Sequence, residues 1–162
     1  VVFWFVGLAV VITWKVFADP AIDYRLIMAG ALAPDLVDAL AGGLGVLHTV
    51  LSSAVLLAVV MVATRGRRRL RRRLLAVPVG TFLHLVLDGA WTNARLFWWP
   101  VLGARLGDDV PLSFHRPVVV LVAQEAAGVM ALWWWWRHFR LHEPECRRVF
   151  LRTGHLGRDL VA

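Results

Sequence analysis

The sequence predicts an all-α fold: a polytopic membrane bundle of about five transmembrane helices, one broken near Pro34, followed by a C-terminal interfacial amphipathic helix. Three observations point there. Hydrophobic residues make up 59% of the chain and charged residues 18%, against about 45–50% and 25% in ordinary soluble domains. Five stretches, 1–14, 21–41, 44–64, 74–91 and 117–136, are nearly free of charge, and each approaches the roughly 17–25 residues that cross a bilayer as a helix. The basic residues crowd between and after these stretches. Seven of the nine residues in 65–73 are Arg, and Arg137, Arg140, Arg147, Arg148, Arg152 and Arg158 follow the last stretch.

The stretch 1–14 lacks a basic leader and a small-residue cleavage site, so it is read as a retained helix rather than a signal peptide. In 21–41, Pro34 is followed by Asp35 and Asp38 and then by Gly42, Gly43 and Gly45, so the helix is expected to break and restart with Pro34 in its first turn. The Arg run 65–73 reads as a cytoplasmic loop under the positive-inside rule. Parity then sends 44–64 down to the cytoplasm, 74–91 up and 117–136 down. It leaves the connection around residues 15–25 and the tail 137–162 inside. Trp98 and Trp99 on one side and Trp133 to Trp136 on the other are expected as interfacial belts. In the tail, Pro144 suits a first helical turn and Gly154 a stop, which predicts a short helix on the membrane surface. Residues 1–136 form one transmembrane domain and 137–162 a basic cytoplasmic tail.

The net charge of +7 raises nucleic-acid binding, but the Arg positions follow topology, so no nucleic-acid partner is expected. The single Cys146 cannot form an internal disulfide and lies on the cytoplasmic side. With no Gly-x-Ser-x-Gly in the chain, a Ser or Cys nucleophile is not supported.

Ionisable residues inside apolar spans cost about 2.5–3.5 kcal/mol each and mark functional sites by default. Here they are Asp35, Asp38, His48, His84, Asp88 and Glu125. His48 sits four residues into its descending stretch, and His84 and Asp88 lie just before the outer end of theirs. Glu125 lies eight residues below Pro117, and Asp35 and Asp38 end the rising segment. At 1.5 Å per residue, all fall in one layer roughly 5–12 Å below the outer boundary. His84 and Asp88 are i, i+4 neighbours. Two imidazoles and three carboxylates give the N/O donors that suit Zn²⁺, and also Mn²⁺ or Fe²⁺. Candidate metal ligands are therefore Asp35, Asp38, His48, His84 and Asp88. Asp38 is also a candidate for orienting a ligand from behind or for a general base, and Glu125 a candidate catalytic acid or base. Plainer roles compete: helix capping for Asp35 and Asp38, a structural His84–Asp88 pair, a His48 bond to a backbone carbonyl, and a helix-to-helix contact for Glu125 beside Gln124. His115 reads as an interfacial cap.

The strings Ala-Pro-Asp-Leu-Val-Asp (33–38), His48-Thr49, His84-Leu-Val-Leu-Asp88-Gly and Trp99-Pro100 resemble the patterns of the YdjM-like bacterial inner-membrane family, described as metal-dependent hydrolases. The Arg run followed by Leu-Leu-Ala-Val-Pro is similar to high-GC actinobacterial members. The resemblance covers residues from about 3 to 100 and implies a metal site built from Asp35, Asp38, His48, His84 and Asp88. The chain departs from the family pattern in having only glycines and apolar residues across 41–46, where members carry His-Arg-Gly, and Phe5 where many carry a first-helix His.

The expected function is a metal-dependent hydrolase at the outer face of the bacterial cytoplasmic membrane. Its expected partners are membrane lipids and a lipid or lipid-linked substrate. A phosphoester is favoured because Arg95, Arg105 or Arg116 can neutralise phosphate. The alternative is a non-catalytic membrane protein whose polar cluster is a structural metal or ion site, a proton path or a partner contact.

Overall fold

In the computed structural model, which describes residues 1–41, 45–102 and 116–157, the chain is all-helical. Its helices are α1 (Val2–Phe17), α2 (Tyr24–Ala41), α3 (Val50–Ala63), α4 (Arg68–Leu74), α5 (Ala76–Asp88), α6 (Ala94–Phe97), α7 (Val118–His138) and α8 (Pro144–Thr153). Each of the five apolar stretches carries one of the longer helices. One helix, α7, is long and apolar enough to cross a membrane by length and composition, and the apolar helices α1 and α3 are shorter, at 16 and 14 residues. Gly42, Gly43, Arg105, His115 and Arg158 lie outside the described residues.

Three local expectations are corrected. The helix α2 runs unbroken through Pro34. A proline inside a helix leaves the carbonyl four residues back without its donor and crowds it. Here that carbonyl belongs to Gly30, on the turn where α2 presses against α5, and Pro34 itself is buried, so packing holds the helix together. His48 is not inside the α3 helix. It ends a short 3-10 turn, Val46–His48, and Thr49 takes the extended backbone of an N-cap, its hydroxyl accepting the Ser52 amide at 3.1 Å. Threonine favours that position because its oxygen satisfies an amide the first turn leaves unpaired. The Arg run, read as a loop, contains the helix α4: Arg is a good helix former, 68–74 holds no Gly or Pro, and Asp19 and Asp23 offset part of the repulsion between its like charges by pairing with Arg72 and Arg73.

The bundle is assembled on two glycine contacts. Gly7 of α1 faces Gly128 of α7, and Gly30 of α2 faces Gly80 of α5; a methyl group on any of the four would overlap backbone of the opposite helix. Small residues let helix backbones approach where larger side chains would hold them apart. The helix α1 also packs on α2 and α5, and α3 packs on α5. Toward the end carrying the Arg run, Trp14 meets Phe139 edge-on at 4.7 Å between ring centroids, and Trp135 contacts Tyr24 and Phe150. The four consecutive Trp are therefore not one outward belt. Trp135 is buried in the core, whereas Trp133 is exposed, because consecutive residues on a helix point about 100° apart.

As expected, α8 begins with Pro144 in its first turn and stops at Gly154 in the left-handed conformation. The segment after it folds back on the α1–α2 connection. Tyr24 N–H donates to the Gly154 carbonyl at 2.9 Å, Leu156 N–H to Pro20 at 2.9 Å and Arg25 to Leu151 at 2.7 Å. Asp23, in that connection, has a buried carboxylate paired with Arg25 at 3.1 Å and Arg73 at 2.9 Å. Burial disfavours its charge, but the hydrogen bonds from Arg25 and Arg73 outweigh burial and hold the carboxyl below the usual carboxylate range. A carboxyl whose pKa is lowered by folding stabilises the fold above its unfolded value and loses that contribution as pH falls through the folded value. The melting temperature is therefore expected to drop below about pH 4, and to drop less steeply in Asp23→Asn. Parallel pH profiles for the two proteins would show that this cluster does not couple protonation to folding.

Candidate metal centre

The glycine contact between α2 and α5 sets up the site. His84 lies one turn beyond Gly80 on the same face of α5, and Ala31 adjoins Gly30 on α2. With the backbones this close, His84 Nδ1 reaches the Ala31 carbonyl at 2.7 Å. A carbonyl only accepts, so Nδ1 carries the proton and a neutral His84 has its lone pair on Nε2. Phe5 of α1 stacks on the other side of the ring, centroids 4.0 Å apart, and both side chains are fully buried. Phe5 thus closes the side of the His84 ring that faces α1.

His48 has a carboxylate, rather than a carbonyl, beside its Nδ1. Its Nδ1 is 2.7 Å from Asp38 Oδ2, an ion-pair contact off the line of an ideal hydrogen bond. A carboxylate also only accepts, so a neutral His48 presents its lone pair from Nε2. Asp35, one turn before Asp38 on α2, brings its carboxylate to the same point.

Three ligand atoms meet there. His48 Nε2 and His84 Nε2 are 3.2 Å apart, and Asp35 Oδ1 lies 3.6 Å from the first and 3.4 Å from the second. Metal bonds of about 2.0–2.1 Å in a tetrahedron put neighbouring ligand atoms about 3.3 Å from one another. When both imidazoles are neutral, the three converging atoms are all acceptors, a set that a cation satisfies. Asp35, His48 and His84 can hold a metal ion, and each His has the partner on its second nitrogen that orients metal-binding imidazoles. The imidazoles are buried, but the Asp35 side chain is 42% exposed, so the cluster communicates with the surroundings on that side.

The other candidates are placed differently. Asp38 is on the far side of His48 from the three converging atoms, where it orients the ring. Asp88 is buried at the end of α5, with Oδ1 3.6 Å from an Arg116 terminal nitrogen that also donates to the Asp88 carbonyl; it is not among the converging atoms. Glu125 accepts the Val2 and Phe3 amides at 2.6 and 2.8 Å. It serves the start of α1, where a carboxylate is stabilised by the unpaired amides and the helix dipole. That bonding is the helix-to-helix contact that competed with a catalytic role for Glu125.

Two contributors escaped the sequence reading. The Ala31 carbonyl is backbone and leaves no mark in the sequence. Arg116, read as one of several outer-loop cations, is bound to Asp88 and to Gln124 at 3.2 Å. Charge balance could have found it: three acids in the apolar stretches beside two His call for a cation, and Arg116 directly precedes the last apolar stretch.

The fold and the cluster together define an all-helical protein in which two buried His and one partly exposed Asp can hold a metal ion. No protein-family model, no curated protein and no solved structure matches the chain.

Proposed function

We propose that this protein is a polytopic protein of the bacterial cytoplasmic membrane, with α4 and the C-terminal tail on the cytoplasmic side. On this reading it is a metal-dependent hydrolase whose site lies near the outer face, akin to the YdjM-like proteins it resembles. The convergence of Asp35, His48 and His84 carries the proposal. Three protein ligands leave a coordination position for water, as catalytic rather than closed structural sites do, and the exposed flank of Asp35 gives that water access. Zinc is the favoured ion from two imidazoles and one carboxylate, with Mn²⁺ and Fe²⁺ next.

A membrane location is supported by what the bundle shows on its outside. Only 11% of the apolar window of α7 is buried inside the protein, and Val62, Val119, Val122, Met130 and Trp133 are exposed. Such a face needs an apolar surrounding. A lipid-like substrate is supported by an apolar cleft of about 510 Å³ between α1, α3 and α5, lined by Ile12, Val50, Leu57, Phe82 and Leu83. Val50 and Leu83, which line the cleft, adjoin Thr49 and His84 in the chain, and none of the three converging residues lines it.

Within the site, Asp35, His48 and His84 bind the ion, Asp38 and the Ala31 carbonyl hold the two rings in the tautomer that offers Nε2, and Phe5 shuts one side to water. An ion held there would supply the chemistry of a water acidic enough to ionise near neutral pH and of a charge that polarises an ester. Metal removal tests the reading. Protein purified in detergent is expected to hydrolyse a phospholipid or lipid-linked phosphoester, to lose that activity on chelation and to regain it with one equivalent of Zn²⁺. Stoichiometric metal with no turnover of any lipid ester or phosphoester would instead support a structural ion site.

A further inference from the structure

A second cavity lies at the other end of the molecule, bounded by α4, the α1–α2 connection and the arm that follows α8. Its volume is about 720 Å³, and Arg69, Arg72, Arg73, Thr153 and His155 supply its polar wall. That size falls within the roughly 300–1,000 Å³ of ligand pockets. On a helix, positions 69, 72 and 73 are i, i+3 and i+4 and share one face, so the Arg run is divided: this face lines the cavity and Arg71 points away from it.

The three guanidinium groups are not equivalent to solvated topological charges. Arg73 gives its Nε to Asp23 at 2.9 Å, and Arg72 gives one terminal nitrogen to Asp19 at 2.6 Å. An Arg has five N–H donors, so each is anchored through part of its fork while the rest stays unused among the described residues. Arg69 has no carboxylate partner among the described residues, and both Arg72 and Arg73 remain exposed. The apolar part of the wall, including Pro20, Val149 and Leu156, is held in place by the Leu156–Pro20 hydrogen bond. Arg forks fixed from behind and open in front are the arrangement that receives phosphate oxygens in pairs.

We propose that this cavity is an anion site that takes a phosphate group, with Arg69, Arg72 and Arg73 as its donors. The headgroup of an anionic phospholipid and free phosphate share that chemistry. The lipid is the natural source for a cavity beside α8, whose charged face and apolar side suit the membrane surface. The site is independent of the metal cluster.

The test uses the full chain in a non-ionic detergent, with binding of short-chain phosphatidylglycerol, short-chain phosphatidylcholine and inorganic phosphate measured by titration calorimetry. Phosphatidylglycerol is expected to bind at least tenfold more tightly than phosphatidylcholine. Arg69→Gln is expected to weaken it about tenfold, the loss of one charge-assisted hydrogen-bond donor, while Arg71→Gln stays within twofold of the parent. Arg69→Gln breaks no ion pair among the described residues, and an unchanged melting temperature shows that it folds. Inorganic phosphate binding as tightly as the lipid assigns the site to free phosphate, and much weaker binding assigns it to the lipid; either supports a phosphate site. Equal binding of the two lipids without any phosphate binding, or equal losses in Arg69→Gln and Arg71→Gln, would overturn it.

Discussion

Purified His84→Ala protein is expected to contain no stoichiometric metal, with affinity for Zn²⁺ lowered by more than about 100-fold. The substitution removes one of three ligand atoms and leaves His48 and Asp35 to hold an ion alone. Asp38→Asn is expected to fall between this variant and the parent, at about 10–100-fold, the usual effect of losing a group that orients a ligand rather than binds. In that variant, His48 keeps its nitrogen but loses the carboxylate that fixes its tautomer. Glu125→Gln is expected to retain full metal content and instead to lower the melting temperature, because Glu125 bonds the first amides of α1. His84 is fully buried beneath Phe5, so its removal also costs packing. Metal content is therefore to be read only from protein that still unfolds cooperatively, with His84→Gln as the better-filling second variant. Equal metal in all variants would place the ion elsewhere.

Gly80→Val is expected to be among the most damaging single substitutions outside the ligands. Its side chain would enter the space of the Ile27 carbonyl and the Ala31 amide, both backbone groups that cannot rotate away. Overpacking of a close contact costs about 1–3 kcal/mol and occasionally more. Here the strain acts on the interface that places His84 against the Ala31 carbonyl, so metal affinity is expected to fall together with the melting temperature. Val86→Ala, on the exposed side of the same helix, is expected to leave both nearly unchanged. A Gly80→Val protein that binds metal like the parent would show that the α2–α5 approach does not organise the site.

The helices were legible because long apolar runs interrupted by clustered charge admit few other folds. The position of the site was legible because ionisable residues are costly in such runs, and the pairing of 35 with 38 follows from helical spacing. Conformation within charged or proline-containing segments was not. An Arg run speaks to topology and says nothing about whether it coils, so α4 was missed. Pro34 looked like a break because local sequence does not reveal the packing that sustains a helix through it. The division of labour among the acids was also hidden. Asp35 and Asp38 are chemically identical and three residues apart, and only the path of the chain into His48 decides which carboxylate faces Nε2 and which faces Nδ1. The glycines could be read as breakers or as contacts, and their pairing across helices, 7 with 128 and 30 with 80, emerges only in three dimensions.

X-ray absorption at the zinc edge on protein loaded with one equivalent of Zn²⁺ tests the central assignment most directly. The expected spectrum has a first shell of nitrogen and oxygen only, at about 2.0–2.1 Å, with outer-shell scattering from two imidazoles. Sulfur from Cys146 in the first shell, no imidazole scattering, or no retained zinc would contradict a metal centre built from Asp35, His48 and His84.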